Sequence, residues 1–440
     1  MPARPLASLV LEHEARALLT RLARVAPFAL RETMVPAANL SIPALAAIER
    51  FLLRGRRELA RLVSRYITWI RGRGRFAPPS LAQRRFTFLR LRFNAVLTQF
   101  DIFSVVMTQR SEHEIGVWLS GLDVAAADAL ALPRAYFSPP ALAVYLDRGH
   151  GAAIRRVRTR LPGGGPSPIA VIRIPRERMV GSGIASSLVH EVGHQAAALL
   201  DLVASLREVL RGLRATAGPQ RIAWQLFDRW ISEIVADFWS VARVGIAAPM
   251  GLMAVVSLPR VFVFRIDTED PHPAPWVRVK LSCAMGDALY PHPQWQALAA
   301  LWESFYPLDG IDPVVRDTIA ALEATTPAFV NLIVNHRPRS LGGQSLREAL
   351  DLEERQPARL QAIYSTWRRS RRAMRRTPPA LAFAVLGQAR ADGRLTPEQE
   401  SALVAELLTY WALRSTLDAS EACAAAAARP APAVETPILQ

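Results

Sequence analysis

Lysine is almost missing from this chain of 440 residues: Lys280 is the only one, and arginine supplies the rest of the 54 basic residues. The formal net charge of +16 would by itself suggest a nucleic-acid-binding protein. An arginine bias together with abundant alanine and proline is, however, typical of GC-rich coding. We therefore do not expect nucleic acid as a partner, although an arginine-rich nucleic-acid-binding protein stays open as an alternative.

Cysteine is equally scarce, since Cys283 and Cys423 are the only two. Two cysteines exclude a disulfide framework and a cysteine-ligated zinc site, and they fit a reducing compartment. The N-terminus also lacks the long apolar segment of a secretory signal. The sequence therefore predicts a cytoplasmic protein, and its 51% hydrophobic and 21% charged residues are typical of a globular one.

Long hydrophobic runs are missing as well. The most apolar window, residues 246–264, is interrupted by Pro249, Pro259 and Arg260. A helix that spans a membrane needs about 20 mostly apolar residues. We therefore predict a buried core segment here, and association with a membrane through this segment stays open without being favoured.

The most informative stretch of the chain, residues 186–195, contains the pattern H-E-x-x-H in an apolar, alanine-rich run that predicts a helix over residues 183–210. Residues four apart on a helix lie one above the other, so His190 and His194 share a face. Two imidazoles at that spacing can bind one zinc ion, with Glu191 beside them to act on a water molecule. The alternative is a helix with two structural histidines; with eight histidines in the chain, an accidental match has odds of about one in a hundred.

A second predicted helix, at residues 230–239, carries Glu233 and Asp237 four residues apart. Carboxylates among Trp, Ile, Val and Phe are costly to bury without partners. Because a hydrolytic zinc site uses three protein ligands and one open position, we expect Glu233 to be the third ligand. We expect Asp237 to accept a hydrogen bond from a ligand imidazole. A solvated acidic stripe on an amphipathic helix is the alternative.

These two motifs resemble those of the gluzincin class of zinc metallopeptidases. The Glu-x-x-Ala-Asp form, with a later His272-Pro and an arginine at Arg278, is most similar to the CAAX prenyl protease type 1 and heat-shock membrane protease group. The third motif is only partly matched, because His-Pro-Ala-Pro stands where that group has His-Pro-Pro. The resemblance covers residues 168–295, and the members of that group are embedded in membranes, which this chain does not suggest.

The resemblance implies further roles. His272 would donate to the oxygen that becomes negative when a peptide carbonyl is attacked, and Arg278 would anchor its segment or assist with charge. Three alternating prolines in residues 270–278 predict an extended path there. Residues 169–174 have strand composition, and in gluzincins such a strand forms the edge of the substrate cleft, where an extended peptide pairs.

The rest of the sequence predicts a mostly α fold of α+β type: a zincin-like helical core with a small edge sheet, flanked by helical domains. We expect an N-terminal helical domain at 1–160, a metallopeptidase domain at 161–345, a C-terminal helical domain at 346–420 and a disordered tail at 421–440. The Gly- and Pro-rich stretch at 161–168 marks the first boundary.

Three weaker patterns favour structural roles. Residues 111–114 read Ser-Glu-His-Glu, but neighbouring side chains on a helix diverge, so a salt bridge or cap is favoured over a metal site. The basic run at 368–376 favours an exposed helix over a nucleic-acid surface. Residues 392–400 lack the spaced acidic ligands of a calcium loop; Thr396 as N-cap, Pro397 and Gln399 predict a helix start instead.

Taken together, these observations predict a zinc metalloendopeptidase that acts on a protein or peptide substrate. His190, His194 and Glu233 would hold one zinc ion per chain, and Glu191 would be the general base. A catalytically silent scaffold that keeps the zinc fold for interaction alone is a further alternative. The sequence predicts neither the cleavage preference nor the oligomeric state.

Overall fold

The computed structural model of the protein describes residues 5–148, 152–161, 166–179, 181, 183–216, 218–350 and 352–427. It is 72% helix and 4% strand, with one small sheet, so the predicted mostly α fold is confirmed. In this part of the chain, none of the helices combines the length and apolar composition that a membrane crossing requires.

Seventeen helices account for most of the described residues. The first half of the chain contributes α1 Leu6–Arg24, α2 Ile42–Arg71, α3 Pro79–Thr108, α4 His113–Leu130, α5 Gly183–Leu199, α6 Leu202–Thr216, α7 Arg221–Val244, α8 Ala247–Val256 and α9 Arg260–Val263. The second half contributes α10 Pro275–Leu289, α11 Gln294–Phe305, α12 Pro313–Val334, α13 Leu346–Ala349, α14 Pro357–Trp367, α15 Arg371–Arg376, α16 Pro379–Ala391 and α17 Pro397–Ala427.

One three-stranded sheet is formed by β1 Leu142–Asp147, β2 Ala153–Arg155 and β3 Ala170–Pro175, in the order β1-β3-β2. β1 runs parallel to β3, and β2 runs antiparallel to it. The strand predicted at 169–174 is therefore present, but β1 and β2 pair along its two sides, so the expectation that an extended peptide pairs along this strand is wrong. The edge belongs to β2, which has only three residues and too short a pattern to be recognised.

The outer side of β1 is completed by side chains instead of a further strand. Gln109 accepts from the backbone N–H of Leu146 at 2.8 Å and donates to its carbonyl at 2.6 Å. Two residues earlier on the same side of β1, Asp123 accepts from Val144 N at 2.7 Å, and Arg110 donates to Val144 O at 2.6 Å. The outward peptide groups of Val144 and Leu146 are therefore satisfied by side chains.

The sheet separates two hydrophobic cores because its side chains alternate between its faces. Val144 and Ile172 pack into the larger core, which contains α5, α7 and most of the C-terminal helices. Ala143 and Val171 point the other way, into a smaller core built by α1, α2 and α3. The two cores thus meet at the strands that lie beside α5.

Two predicted helices are each divided in two. The helix predicted over 183–210 ends at Leu199 and resumes at Leu202, because Asp201 adopts a left-handed backbone conformation with φ 52° that a helix cannot include. The sequence also has a helical, strongly apolar pattern over residues 81–119 that predicts one helix, but α3 ends at Thr108 and a 3-10 turn at Gln109–Ser111 separates it from α4. Apolar periodicity continues through both breaks and so does not reveal them.

The predicted domain boundary at residue 160 falls within the sheet, and the boundary at residue 421 falls within α17. β1 and β2 precede residue 160 but pair with β3, which follows it. Residues 162–165 of the predicted linker lie outside the described residues. In the predicted tail at 421–440, α17 continues as helix to Ala427, and residues 428–440 also lie outside the described part. The domain assignment stays a prediction.

The apolar window at 246–264 forms α8 and α9. Most of α8 is buried, as predicted for a core segment. α9 differs, because Val261 and Phe262 are 72% and 50% exposed. α8 lies against both α5 and α7 and forms a wall of the cavity described next.

Candidate metal centre

His190 and His194 on α5 and Glu233 on α7 form a group in which the possible ligand atoms all lie within 4.8 Å of one another. His190 Nε2 is 3.3 Å from one oxygen of Glu233, and His194 Nε2 is 3.4 Å from the other. The structure thus brings together the three residues predicted to be ligands. Two imidazoles and one carboxylate are a donor set that suits zinc, with room for a fourth ligand.

The two ligand helices approach closely because of small residues at their crossing. A Cβ atom on Gly193 would lie 2.8 Å from Ala236 Cα and 2.9 Å from its carbonyl oxygen, too close for a real side chain. Gly193 lies between the two histidines in sequence, and Ala236 lies between Glu233 and Asp237. The glycine and the alanine within the two motifs therefore set the distance between the ligands.

The carboxylates of Glu233 and Asp237 on α7 are both buried, which excludes a solvated acidic stripe at these positions. Glu233 is 9% and Asp237 is 6% exposed. Glu233 contacts both histidines, while Asp237 Oδ1 lies 2.8 Å from His190 Nδ1. Because Nδ1 of His190 faces Asp237, its Nε2 is left to face Glu233 and the other candidate ligand. This is the orientation predicted for a carboxylate that positions a ligand imidazole.

Arg278 completes this buried group. Its Nε donates to Asp237 Oδ2 at 2.6 Å, and its Nη2 donates to Oδ1 at 2.8 Å. Nη2 also lies 3.3 Å from His190 Nδ1. Of the two roles predicted for Arg278, anchoring is the one that these contacts match, because both oxygens of a buried carboxylate occupy its guanidinium.

The helix α10 carries Arg278, contrary to the extended path predicted for residues 270–278. Only the first part of the stretch is extended, and α10 begins at Pro275. Proline is well suited to the first position of a helix, where its missing N–H costs no hydrogen bond. Arg278 is consequently held at the first turn of a helix that packs against α7.

His272 lies at the mouth of the site and is 55% exposed at its side chain. Its Nδ1 is 2.7 Å from Asp270 Oδ1, which also accepts from the His272 backbone N–H at 2.9 Å. Its Nε2 is 3.8 Å from Glu233. The ring is therefore oriented by Asp270, with Nε2 turned toward the candidate metal ligands.

Glu191 differs from the other acidic groups of the site. It is 5% exposed and lines the same cavity as the three candidate ligands. In the part of the chain that the structure describes, its carboxylate forms no hydrogen bond or ion pair. Burial, together with the nearby charge of Glu233, raises its pKa to about 6, against the opposing effects of His190 and Arg278. Glu191 is thus positioned as a free carboxylate able to accept a proton.

The charges of the metal-free site follow from its contacts. Burial acts to lower the pKa of His190, but Asp237 and Glu233 outweigh it and raise the pKa to about 9. Burial and the positive His190 lower the pKa of His194 to about 4. Burial opposes ionisation of Glu233, yet His190, His194 and Arg278 lower its pKa to about 2. At neutral pH the metal-free site therefore holds one protonated imidazole beside ionised carboxylates.

A cavity of about 470 Å³ opens over these residues. One wall is β2 with its flanks, through Ala153, Ile154 and Arg156, and another is α8, through Leu252 and Val255. The sequence predicted neither wall. β2 is too short for a strand pattern, and α8 is apolar all round, so no periodicity indicates which face meets the cavity.

The weaker sequence patterns have structural roles. Glu112 pairs with Arg176 at 3.2 Å, in line with the salt-bridge interpretation of residues 111–114. The basic run is divided by Ser370, the N-cap of α15, and Arg371 and Arg375 both pair with Glu406.

No protein-family model, curated protein or solved structure matches the chain.

Proposed function

We propose that this protein is a zinc-dependent metalloendopeptidase of gluzincin type. One observation carries the proposal: His190, His194 and Glu233 converge on a single point, while Glu191 lines the same cavity with an unengaged carboxylate. A structural pair of histidines would need no buried third donor and no free acid beside it. The resemblance of the motifs to those of the CAAX prenyl protease type 1 and heat-shock membrane protease group supports the same activity.

The chemistry is divided among the residues of the cavity. When bound, zinc supplies a Lewis acid that polarises a peptide carbonyl and makes a water molecule more acidic. A carboxylate oxygen of Glu191 takes a proton from the attacking water and passes it to the leaving amine nitrogen. His272 Nε2 donates to the carbonyl oxygen as that oxygen becomes negative. His190 and His194 present their Nε2 atoms, and Asp237 and Arg278 keep the His190 ring in orientation.

The substrate is a protein or peptide that lies extended beside β2. This strand lines the cavity, and among the described residues no strand pairs with its outer side. Main-chain hydrogen bonds to such an edge bind a peptide irrespective of its sequence, while pockets select side chains. The apolar Leu252 and Val255 of α8 provide one such wall.

A reducing compartment such as the cytoplasm is the proposed location. Cys283 and Cys423 are both free, and Cys283 is buried. Burial raises the pKa of the Cys283 thiol to about 12, which keeps it protonated and unreactive.

The test compares the full-length protein with three variants by zinc content and by cleavage of a mixture of unfolded proteins. Wild type should contain about one zinc per chain and cleave the mixture. His190→Ala should lose both the metal and activity, whereas Glu191→Gln should keep the metal and lose activity by orders of magnitude. Glu14→Gln, an exposed acid on α1, is the matched control and should equal wild type. Full activity of Glu191→Gln, or zinc without any cleavage by wild type, would overturn the proposal.

A further inference from the structure

A second cavity, of about 700 Å³, lies between α2, α3 and the segments that flank β2 and β3, and it shares no lining residue with the metal centre. Arginine dominates its polar lining: Arg50 and Arg54 come from α2, and Arg92 from α3. Arg158 contributes a fourth guanidinium from the segment after β2, against one carboxylate, that of Glu58. The cavity is therefore strongly positive.

Three of these arginines have no anionic partner in the part of the chain that the structure describes. Among the described residues, no ion pair or hydrogen bond engages the guanidinium groups of Arg50, Arg54 or Arg158. Arg158 has a φ of 65°, an uncommon conformation for a residue with a side chain, and its backbone N–H donates to Ser167 O at 3.0 Å. The fold thus accepts local strain at the point where this side chain reaches the cavity.

The rest of the lining is mostly apolar, with Phe51, Leu59 and Val96 on the helices and Val157 and Leu199 opposite. Gly55 lies in the interior of α2 and also lines the cavity. Glycine inside a helix is destabilising relative to alanine, but here a Cβ atom would lie only 3.3 Å from Oε1 of the buried Gln99, so the glycine lets α2 lie close to α3 at the cavity. The cavity therefore combines a cationic rim with room beside an apolar wall.

We propose that this cavity binds a small amphiphile with an anionic head, a carboxylate or a phosphate, and an apolar body. Arg50, Arg54 and Arg158 would bind the head, since guanidinium groups match the geometry of both anions. The apolar wall would cover the body. The volume lies within the range of small-molecule sites, about 300–1,000 Å³.

The test uses calorimetric titration of the full-length protein with dodecanoate and, separately, with dodecyl phosphate, both below the concentrations at which micelles form. Saturable binding of one molecule per chain by either anion supports the site, and the preferred anion identifies the head. Dodecyltrimethylammonium, with the same body and a cationic head, should not bind. Equal binding of the cation would overturn the proposal, as would the lack of saturable binding by both anions.

Variants locate the site. Arg50→Ala combined with Arg54→Ala should weaken anion binding by about a hundredfold, because the charged hydrogen bonds of each arginine are worth about a factor of ten. Arg57→Ala, an exposed arginine of α2 outside the lining, should bind as wild type does. If Arg57→Ala weakened anion binding equally, the anion would be attracted non-specifically to positive charge, and the proposed site would be wrong.

Two further variants distinguish the second cavity from the metal centre as the place where the anion binds. Gly55→Leu should fill the space and abolish binding while circular dichroism shows an intact helical fold; if it does not fold, the paired arginine variant decides alone. A carboxylate can also ligate a metal ion, so the titration is repeated with His190→Ala. Binding retained in His190→Ala supports the second cavity, whereas binding lost from this folded variant would place the ligand at the metal centre and overturn the proposal.

Discussion

The carboxylate of Asp237 joins His190 to Arg278: it accepts two hydrogen bonds from the guanidinium, at 2.6 and 2.8 Å, and lies 2.8 Å from His190 Nδ1. All three side chains are largely buried, with exposures of 8% for Asp237, 13% for Arg278 and 14% for His190. An imidazole held in this way cannot rotate without breaking a buried ion pair. The orientation of one candidate ligand therefore depends on α10 as well as on α5 and α7.

The buried pair predicts non-additive effects on stability. Asp237→Ala leaves a guanidinium buried without its partner, and Arg278→Met leaves a buried carboxylate, so each should lower the free energy of unfolding by about 3–5 kcal/mol. The double variant should lose clearly less than the sum of the two. Denaturant titration of the metal-free proteins measures all three. Arg337→Met, in an exposed pair with Glu348, is the control and should cost about 1 kcal/mol or less.

Zinc affinity should respond differently from stability. Asp237→Ala should weaken zinc binding by about 10–100-fold, because His190 loses the acceptor that orients its ring. Arg278→Met retains that acceptor and should weaken zinc binding less. Competition with a chelator gives the affinities. If Asp237→Ala binds zinc as tightly as wild type, the contact with His190 is structural only.

The helix crossing predicts that a single methyl group disturbs the site. Gly193→Ala would force α5 and α7 apart, because its Cβ would lie 2.8 Å from Ala236 Cα. It should reduce stability by about 1–3 kcal/mol despite the better helix propensity of alanine, and zinc affinity should fall with it. Gly212→Ala on α6, where no atom lies within 4 Å of the added carbon, is the matched control and should be neutral or stabilising. Thermal unfolding distinguishes the two, and equal effects would refute the close crossing.

Zinc binding should release about one proton at pH 7. The pKa of His190 in the metal-free protein is about 9, so its ring is protonated and must lose that proton to bind a metal ion. His194 and Glu233, with pKa values of about 4 and about 2, have none to lose at this pH. Calorimetry in two buffers of different ionisation enthalpy counts the protons. Release should fall to about half a proton near pH 9 and vanish well above it, and no release at pH 7 would contradict the assigned charge of His190.

The rate of cleavage should fall as pH decreases. Glu191 must be ionised to accept a proton, and its pKa of about 6 in the metal-free site places the loss at acid pH. A bound dication favours the ionised form, so the acid limb should lie at or below about pH 6. The pH profile of kcat/KM reports this limb for the free enzyme. A limb centred above pH 7 with zinc content unchanged would mean that another group is the base.

His272 should affect turnover without affecting the metal. If its Nε2 stabilises charge on the carbonyl oxygen, His272→Ala should lower kcat by about 10²–10³-fold, as the loss of one such donor does elsewhere. Zinc content and thermal stability should remain as in wild type, because the side chain is 55% exposed. His13→Ala, an exposed histidine on α1, is the control. Wild-type turnover by His272→Ala would contradict a catalytic role for His272, and Asp270 and His272 would then form only a structural turn at the surface.

The sequence predicted those features that depend on local patterns. The spacing of His190 and His194 places them on one face of a helix wherever that helix packs. The start of α17 is equally local: Thr396 Oγ1 accepts from Gln399 N at 3.3 Å, and the Gln399 side chain accepts from Thr396 N at 3.2 Å. Such hydrogen bonds join residues only a few positions apart, so a sequence pattern is enough to predict them.

The features that were missed depend on residues far apart in the chain. β2 exists because three residues pair with β3, and nothing in their own sequence indicates it. Gly193 has a role only because Ala236 lies against it, more than forty residues later. The partner of Arg278 could not be read from its proline-rich stretch, because α7 supplies it. Contacts of this kind are set by the packing of the helices.

The side chains that complete the outer side of β1 limit how the sheet can grow. Exposed strand edges are where chains join one another into aggregates, since unpaired peptide groups accept any passing strand. At Val144 and Leu146 those groups are already bonded to Gln109, Arg110 and Asp123, so another chain would gain nothing by docking there. Within the described sheet, β2 is the edge that keeps an unpaired side, and it lies beside the candidate metal centre. The side chains that guard one edge of the sheet against self-association therefore confine any added strand to the edge beside the candidate metal centre, where the proposed substrate would lie.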